Sequence, residues 1–404
     1  MKKGESFLLL IIKLSILLLC GMNIVCIDES IGLLSNTIKV GVISDVTGPT
    51  AQLQTPIHKG INTYLTHIND TGGIHGRKFK VIIKDGRYNV ARDVANFKDL
   101  VYRNKIFMLF EIGSTGSGMA LIYKVSREQV PTMMTSTTDF FIHPTQPYHF
   151  TEGATYEDEI KILLHYIIDI LKEKNIKLAL VRANTQHGKV GAKTFREQLN
   201  IYGLQSSGEE VISPGGTEAS SQIINLKRND VTHVILHTTE GNAATFMKEA
   251  NRYKFYPKIY GTKYACSEDT LRIVKNAARN FYATNSFSSW YDKSSGIQNM
   301  RRITLKYHAK SSNHIYYRHY TQGWCQGIIA VEALKRTGEK LNRSGLLKAW
   351  ESINNFNMGG LMSNVTYGPS KHQGSEYCKI YKADVDNLIF MPITKYIKSE
   401  REFY

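Results

Sequence analysis

The sequence predicts an α/β protein of two lobes, each built on a parallel central sheet, with a ligand cleft between them. Three observations lead there. Short apolar strands, of the kind buried on both faces, alternate with amphipathic helices. The alternation runs β-α-β-α-β-α-β and then restarts, which describes two successive open sheets with helices on both faces. Segments rich in hydroxyls and glycine also sit at consecutive strand ends of the first unit, where open α/β sheets bind their ligands.

The first strand is Ile38 to Ile43, turned by Thr47-Gly48-Pro49. Ile57, Ile61, Tyr64, Leu65 and Ile68 then recur at helical spacing until Gly72-Gly73 ends the helix. Phe79 to Lys84 is the next strand, and Val90 to Arg103 a helix with Val94, Phe97, Leu100 and Val101 inward. Phe107 to Ile112 is the third strand, followed by a helix from about Gly118 to Glu128 and a strand around Thr132–Met134. The second unit opens on a helix from Glu157 to Glu173, with Ile160, Leu163, Leu164, Ile167, Ile168 and Leu171 on one stripe. Strands are expected at Lys177 to Arg182, Gly208 to Ile212, Thr232 to His237 and Lys258 to Gly261. Helices are expected between them at Val190 to Tyr202, Ser220 to Arg228 and Asn242 to Tyr253, and a long helix later at Arg318 to Thr337.

At 404 residues, 42% hydrophobic and 21% charged, the chain has globular composition, which excludes disorder and a polytopic membrane protein. Its charge of +16 is scattered rather than blocked, so it reads as a solubility property and no nucleic-acid partner is expected. Residues 1–26 read as a secretory leader: Met1-Lys2-Lys3 is basic, and Phe7 to Cys20 is apolar except for Lys13 and Ser15. The cleavage site is open, with cleavage after Cys26 one choice. The expected location is periplasmic or extracellular. Beyond the leader lie Cys266, Cys325 and Cys378, without zinc-ligand spacing and with room for one disulfide at most.

Gly113-Ser114-Thr115-Gly116-Ser117-Gly118 follows the third strand and precedes a helix, a combination of free N–H groups and hydroxyls that favours a carboxylate. Thr135-Ser136-Thr137-Thr138-Asp139 repeats the pattern after the fourth strand. No Gly-Lys-Ser/Thr follows the glycine run, no G-x-G-x-x-G follows the first strand, and there is no HExxH or G-x-S-x-G. His308, His314 and His319 lie in a polar, Tyr-rich stretch and read as surface residues. No nucleophile with its base is specified, so neither an enzyme nor a cofactor is expected.

At these residues the chain resembles the periplasmic leucine/isoleucine/valine-binding protein family, of the type I periplasmic-binding-protein fold. Ile38 to Ile43 with Thr47-Gly48-Pro49 is similar to the family's opening strand and turn. Ile68-Asn69 with Gly72-Gly73-Ile74-His75-Gly76-Arg77, the helix from Tyr320 to Leu334, and Gly368-Pro369-Ser370-Lys371-His372-Gln373-Gly374 match later family segments. The resemblance implies two Rossmann-like lobes joined by a three-strand hinge, residues 37–152 plus 284–361 forming one and 153–283 plus 362–397 the other. It implies that Ser114, Thr115, Thr137 and Thr138 hold a ligand carboxylate, and that His187 stands where the family carries Tyr. The family's acidic residue for an α-amino group falls near Lys263, with Glu240 a candidate replacement. A cation at Lys263 repels an ammonium, which favours amides or amine-free carboxylates over ordinary amino acids. Leu53, Tyr156, Tyr264, Trp290 and Tyr291 are candidate cleft walls. The expected function is an exported solute-binding protein that delivers a small organic ligand to the permease of an ABC-type transporter. The alternative is a receptor-like sensing domain working with a partner membrane protein.

Overall fold

Strand patterning builds two separate sheets. The structure, a computed structural model, describes residues 32–34, 36–110, 113–309 and 313–398; the expected leader, with Cys20 and Cys26, lies outside them. The first sheet contains β1 (Leu33–Leu34), β2 (Thr37–Ser44), β3 (Lys78–Asp85), β4 (Met108–Phe110), β5 (Thr132–Met134) and β6 (His149–Thr151). β3, β2, β4, β5 and β6 are parallel neighbours in that order, and β1 joins β2 antiparallel. The second sheet contains β7 (Leu178–Ala183), β8 (Gly208–Ile212), β9 (His233–His237), β10 (Lys258–Gly261), β11 (Phe281–Asn285), β12 (Lys379–Asp384) and β13 (Ile389–Pro392). Its order is β13-β12-β11-β10-β9-β7-β8, parallel from β8 to β11, with β12 and β13 antiparallel at the edge.

The helices are α1 (Ala51–Asp70), α2 (Val90–Lys98), α3 (Thr115–Arg127), α4 (Tyr156–His165), α5 (Gln186–Ile201), α6 (Ser220–Arg228), α7 (Glu240–Arg252), α8 (Glu268–Val274), α9 (Ser295–Tyr307), α10 (Arg318–Thr337) and α11 (Arg343–Glu351). Successive strand residues face opposite ways, so each sheet feeds two cores. Met108, Phe110, Met133 and Phe150 join Val40 and Val42 beneath α1, α9, α10 and α11. Leu109, Met134 and Ile43 join Phe97, Leu121 and Val125 beneath α2 and α3. In the second sheet, Ala179 and Val181 face α6, α7 and α8, whereas Leu178 and Leu180 face α4 and α5. Two glycines let α1 and α10 touch backbone to backbone. A Cβ on Gly323 would lie 1.9 Å from the Ile57 carbonyl oxygen, and one on Gly60 would lie 2.3 Å from that of Tyr320.

Three segments, 152–155, 286–294 and 352–378, carry the chain between elements packed on the first sheet and elements of the second. They are tied together by bonds from main-chain N–H groups. Ala154 N donates to Ser286 Oγ at 3.2 Å, Thr151 N to the His372 carbonyl at 2.9 Å, and Gly374 N to the Thr151 carbonyl at 2.8 Å. Thr284 and Asn285 still pair with Ile380 and Lys379 in the second sheet, and Met362, Val365 and Tyr367 still pack in the first sheet's core.

The expected elements are present with shifted ends, and β1, β6, β11, β12, β13, α8, α9 and α11 are found beyond them. The third strand is observed over Met108–Phe110, and Ile112 lies outside the described residues. The helix expected from Gly118 begins at Thr115, because the Ser114 hydroxyl caps it by accepting Ser117 N at 3.0 Å. The helix expected from Val190 begins at Gln186, capped by Thr185, and the one expected from Asn242 begins at Glu240. α4 gives way after His165 to a wider turn at Tyr166–Ile170 instead of running to Glu173. Cys266, Cys325 and Cys378 are buried free thiols, so the single disulfide allowed by the sequence does not form among them. His319 is not a surface residue: it lies on the inner face of α10 and is 1% exposed. Among the described residues no helix is long and apolar enough to cross a membrane.

Candidate ligand-binding cleft

The carboxyl ends of the two sheets enclose a cavity in which the centre of a water-sized sphere has about 40 Å³ of free space. First turns or caps of five helices meet there: Thr50, Leu53 and Gln54 of α1, Ser114 and Thr115 of α3, Tyr156 of α4, His187 of α5 and Thr239 of α7. The topology requires this convergence, since each of these helices follows the carboxyl end of a parallel strand. Tyr88, Gly113, Thr135, Ser136 and Tyr264, from loops after β3, β4, β5 and β10, complete the lining.

None of these lining side chains carries a fixed charge. Burial, with His237 and Lys263 nearby, holds the His187 imidazole well below its ordinary value and hence neutral. The positive ends of the helices, together with the Lys263 ammonium behind the lining, contribute a field that favours an anion. Gln54 is locked in place: its carbonyl accepts Asp45 N at 2.6 Å and its amide donates to the Gly113 carbonyl. Bonds that join residues of the two sheets hold the cleft shut. The Tyr264 hydroxyl donates to the Thr135 carbonyl at 2.7 Å, the Thr115 and Tyr156 hydroxyls lie 3.4 Å apart, and the Tyr88 hydroxyl meets Thr185.

Of the residues singled out from the sequence, Ser114, Thr115 and His187 line the cavity, as do the wall candidates Leu53, Tyr156 and Tyr264. Thr137 does not. It is fully buried, its hydroxyl donating to the Ala154 carbonyl at 3.0 Å and accepting the Lys263 ammonium. Thr138 turns to a different groove, where its hydroxyl donates to Glu157 Oε1 at 2.7 Å. Lys263 also lies outside the lining. Its Nζ donates to the Ala154 carbonyl at 3.1 Å and sits 3.2 Å from Glu159 Oε1, while Glu159 Oε2 accepts the Lys263 main-chain N–H at 2.7 Å. The ammonium is thus engaged one layer behind the cavity, 5.3 and 5.2 Å from the Tyr156 and Tyr264 rings. The cation expected to face a ligand's amine is instead engaged with Glu159, Thr137 and the Ala154 carbonyl. Glu240 stands next to the lining residue Thr239 but not in the lining, its carboxylate buried with the Ser267 hydroxyl as a hydrogen-bonding neighbour. His319 Nε2 is 4.0 Å away, and burial raises Glu240 to about 7. Trp290 packs in the first sheet's core against Tyr316, and Tyr291 is 39% exposed, so neither forms a wall.

The sequence reading missed Thr50, Gln54, Tyr88, Thr135, Ser136 and Thr239. Thr135 and Ser136 belong to the hydroxyl cluster already noticed, two residues upstream of the pair chosen. Thr238-Thr239 carries the same signal, hydroxyls between a strand and a helix. Tyr88 sits in a turn after a strand, with Arg87 and Tyr88 both at positive φ, 51° and 55°.

Residues 37–387 match the family model for periplasmic binding proteins. The chain belongs to the periplasmic binding protein family. Among the family's members, a Leu/Ile/Val-binding protein homolog of Brucella melitensis is 25% identical over 194 residues, 47% of this chain and 51% of the relative. The Leu/Ile/Val-binding protein BraC3 of Rhizobium johnstonii is 25% identical over 203 residues, 48% and 52% of the two chains. The chain thus spans about half the length of these relatives. Among solved structures, a branched-chain amino acid ABC transporter protein from Thermus thermophilus with bound valine superposes with a TM-score of 0.84 at 24% identity. It covers 91% of this chain and 98% of its own. A fatty acid ABC transporter substrate-binding protein from Thermomonospora curvata gives 0.83 at 21% identity, covering 91% and 94%. These likenesses establish for this chain the two-lobed fold of periplasmic binding proteins.

Proposed function

We propose that this protein is the exported solute-binding component of an ABC-type transporter, and that it holds a small organic carboxylate in the closed cleft. One observation carries the ligand class: five helix N-termini converge on a cavity that no ionised side chain lines. A carboxylate there offsets the mutual repulsion of the helix ends. The leucine, isoleucine and valine named for the relatives are carboxylates. With Lys263 engaged by its own neighbours, amino acids fit the reading as well as amine-free carboxylates do.

The mechanism is hinge closure about the three crossing segments. Ligand contacts to both sheets add to bonds such as Tyr264 to Thr135 and shift the population toward the closed form, which a permease then recognises. The lobes would be those read from the sequence, with limits moved so that Thr284 and Asn285 stay with the second sheet and 362–367 with the first. The location would be periplasmic or extracellular, with residues 1–26 as the leader.

A thermal-shift screen of the purified protein against amino acids and amine-free carboxylates tests this. A ligand at 100 times its Kd adds about 2.7 kcal/mol, enough to raise the melting temperature measurably. Small-angle scattering should show compaction with the same ligand. A screen in which no carboxylate raises the melting temperature or reduces the radius of gyration rejects the proposal.

A further inference from the structure

Lys263 opens the turn after β10, and its buried ammonium has neighbours from three parts of the fold. It donates to the hydroxyl of Thr137, in the loop after β5 of the first sheet, and to the carbonyl of Ala154, in the first crossing segment, at 3.1 Å. Its charge is met by Glu159 Oε1 of α4 at 3.2 Å. The main chain is fixed as well, because Lys263 N donates to Glu159 Oε2 at 2.7 Å. In front of the ammonium stand the rings of Tyr156 and Tyr264, 5.3 and 5.2 Å away, within reach of a cation–π attraction. Both rings line the cavity, and both carry bonds that join the two sheets across it, Tyr156 to Thr115 and Tyr264 to the Thr135 carbonyl.

We propose that Lys263 is a positioning residue for closure: without touching the ligand, it grips the first sheet's loop through Thr137, backs the two tyrosines, and so slows reopening of the closed cleft. The inference rests on the hinge-closure reading above. Lys263 rides on the second sheet and Thr137 on the first, so rotation about the crossing segments changes the distance between them. A hydrogen bond tolerates little such change before it is lost. This one is donated by a charged group away from water, which makes it one of the stronger kind. Only the closed form has it, so it adds to the free-energy gap that reopening must cross.

Stopped-flow binding and small-angle scattering test this, with leucine, valine and 3-methylbutanoate as probes. Thr137→Val removes the acceptor and leaves the charges of Lys263 and Glu159 in place, so the field at the cavity is kept. For a probe that the parent binds, dissociation should speed up about tenfold with association little changed, and the compaction on binding should shrink. Thr137→Ser, which returns the hydroxyl, should restore most of the slow dissociation. Lys263→Met combined with Glu159→Gln strands no charge. It should release the probe at least as fast as Thr137→Val does, even where its melting temperature approaches the parent's. A Thr137→Val protein, or the double variant, that dissociates and compacts like the parent overturns the inference and leaves hinge closure standing. A Thr137→Ser protein as fast as Thr137→Val assigns the loss to packing and also overturns it. A parent that binds none of the probes, or binds without compaction, overturns the inference and the hinge-closure reading together.

Discussion

Replacing Lys263 by Met tests the charge arrangement behind the cleft. The ammonium is 2% exposed and Glu159 is fully buried, with Nζ 3.2 Å from Oε1. Thr137 and the Ala154 carbonyl keep each other as partners once the ammonium is gone, since they are bonded at 3.0 Å. Glu159 does not: it retains only the main-chain N–H of residue 263. Removing one partner of a buried ion pair costs about 3–5 kcal/mol. The cost should depend on pH. Burial already raises Glu159 to about 7 with the ammonium beside it, and without that ammonium its pKa goes higher. A carboxyl raised above its unfolded value stabilises fully below that value and loses the contribution as pH rises through the folded one. At pH 5 Glu159 is protonated in both proteins. At pH 8 the parent has ionised it while the variant still resists, which adds about 1.4 kcal/mol for the unit above 7. Urea unfolding followed by tryptophan fluorescence should therefore give a loss of about 3–5 kcal/mol at pH 8 and a distinctly smaller one at pH 5, with unchanged m-values. Adding Glu159→Gln should recover most of the loss at pH 8. A loss under about 1 kcal/mol, or one equal at both pH values, would refute the reasoning.

Other outcomes follow from the same structure. Tyr264→Phe removes the bond to the Thr135 carbonyl and should weaken ligand binding by about 1–2 kcal/mol, with a less compact free protein in small-angle scattering. Gly323→Ala drives a methyl into the Ile57 carbonyl and should destabilise the protein by about 3 kcal/mol or more in thermal unfolding. Stability should peak in mildly acid solution. Buried His149, His237 and His319, lowered by burial to about 4, 3 and 3, stabilise above their unfolded value and lose this as pH falls below it. Glu157, Glu159 and Glu240, raised by burial to about 8, 7 and 7, act in the opposite sense, so the two sets largely cancel between roughly pH 4.5 and 6.5. Above that only the carboxyls act, and the melting temperature should fall from pH 6 to pH 8.5 in a calorimetric series; a rise would count against the buried-carboxyl account.

The fold was legible because short apolar runs mark the central strands and a 3.6 period marks the helices between them. What escaped were α8, α9 and α11 and the strands without such a run. β6 is only His149-Phe150-Thr151, and β12 and β13 close the second sheet's edge after a long stretch with no apolar run. Helix starts slipped by two to four residues because caps such as Ser114 and Thr185 extend a helix beyond its apolar stripe. Those first turns form the cleft, so the slip matters more to the site than to the fold. The strand-end hydroxyls pointed to a cluster that reaches the cavity, but which of Thr135 to Thr138 face it depends on partners far away in sequence. Thr137 turns to Ala154 and Lys263, and Thr138 to Glu157. The pairing of Lys263 with Glu159 joins residues 104 positions apart, which local spacing does not reveal.

The helix ends at the cleft have a consequence for how such a protein can change. On the carboxylate reading proposed above, much of the pull on an anion originates in peptide groups, and no single side-chain replacement abolishes that part. Mutation can redraw the walls, exchanging a tyrosine for a histidine or a hydroxyl for a methyl, without erasing the attraction for a carboxylate. Taste in ligands can therefore drift along one coordinate while the common handle stays fixed. A lineage of such proteins would diversify by what is attached to the acid group rather than by the acid group itself.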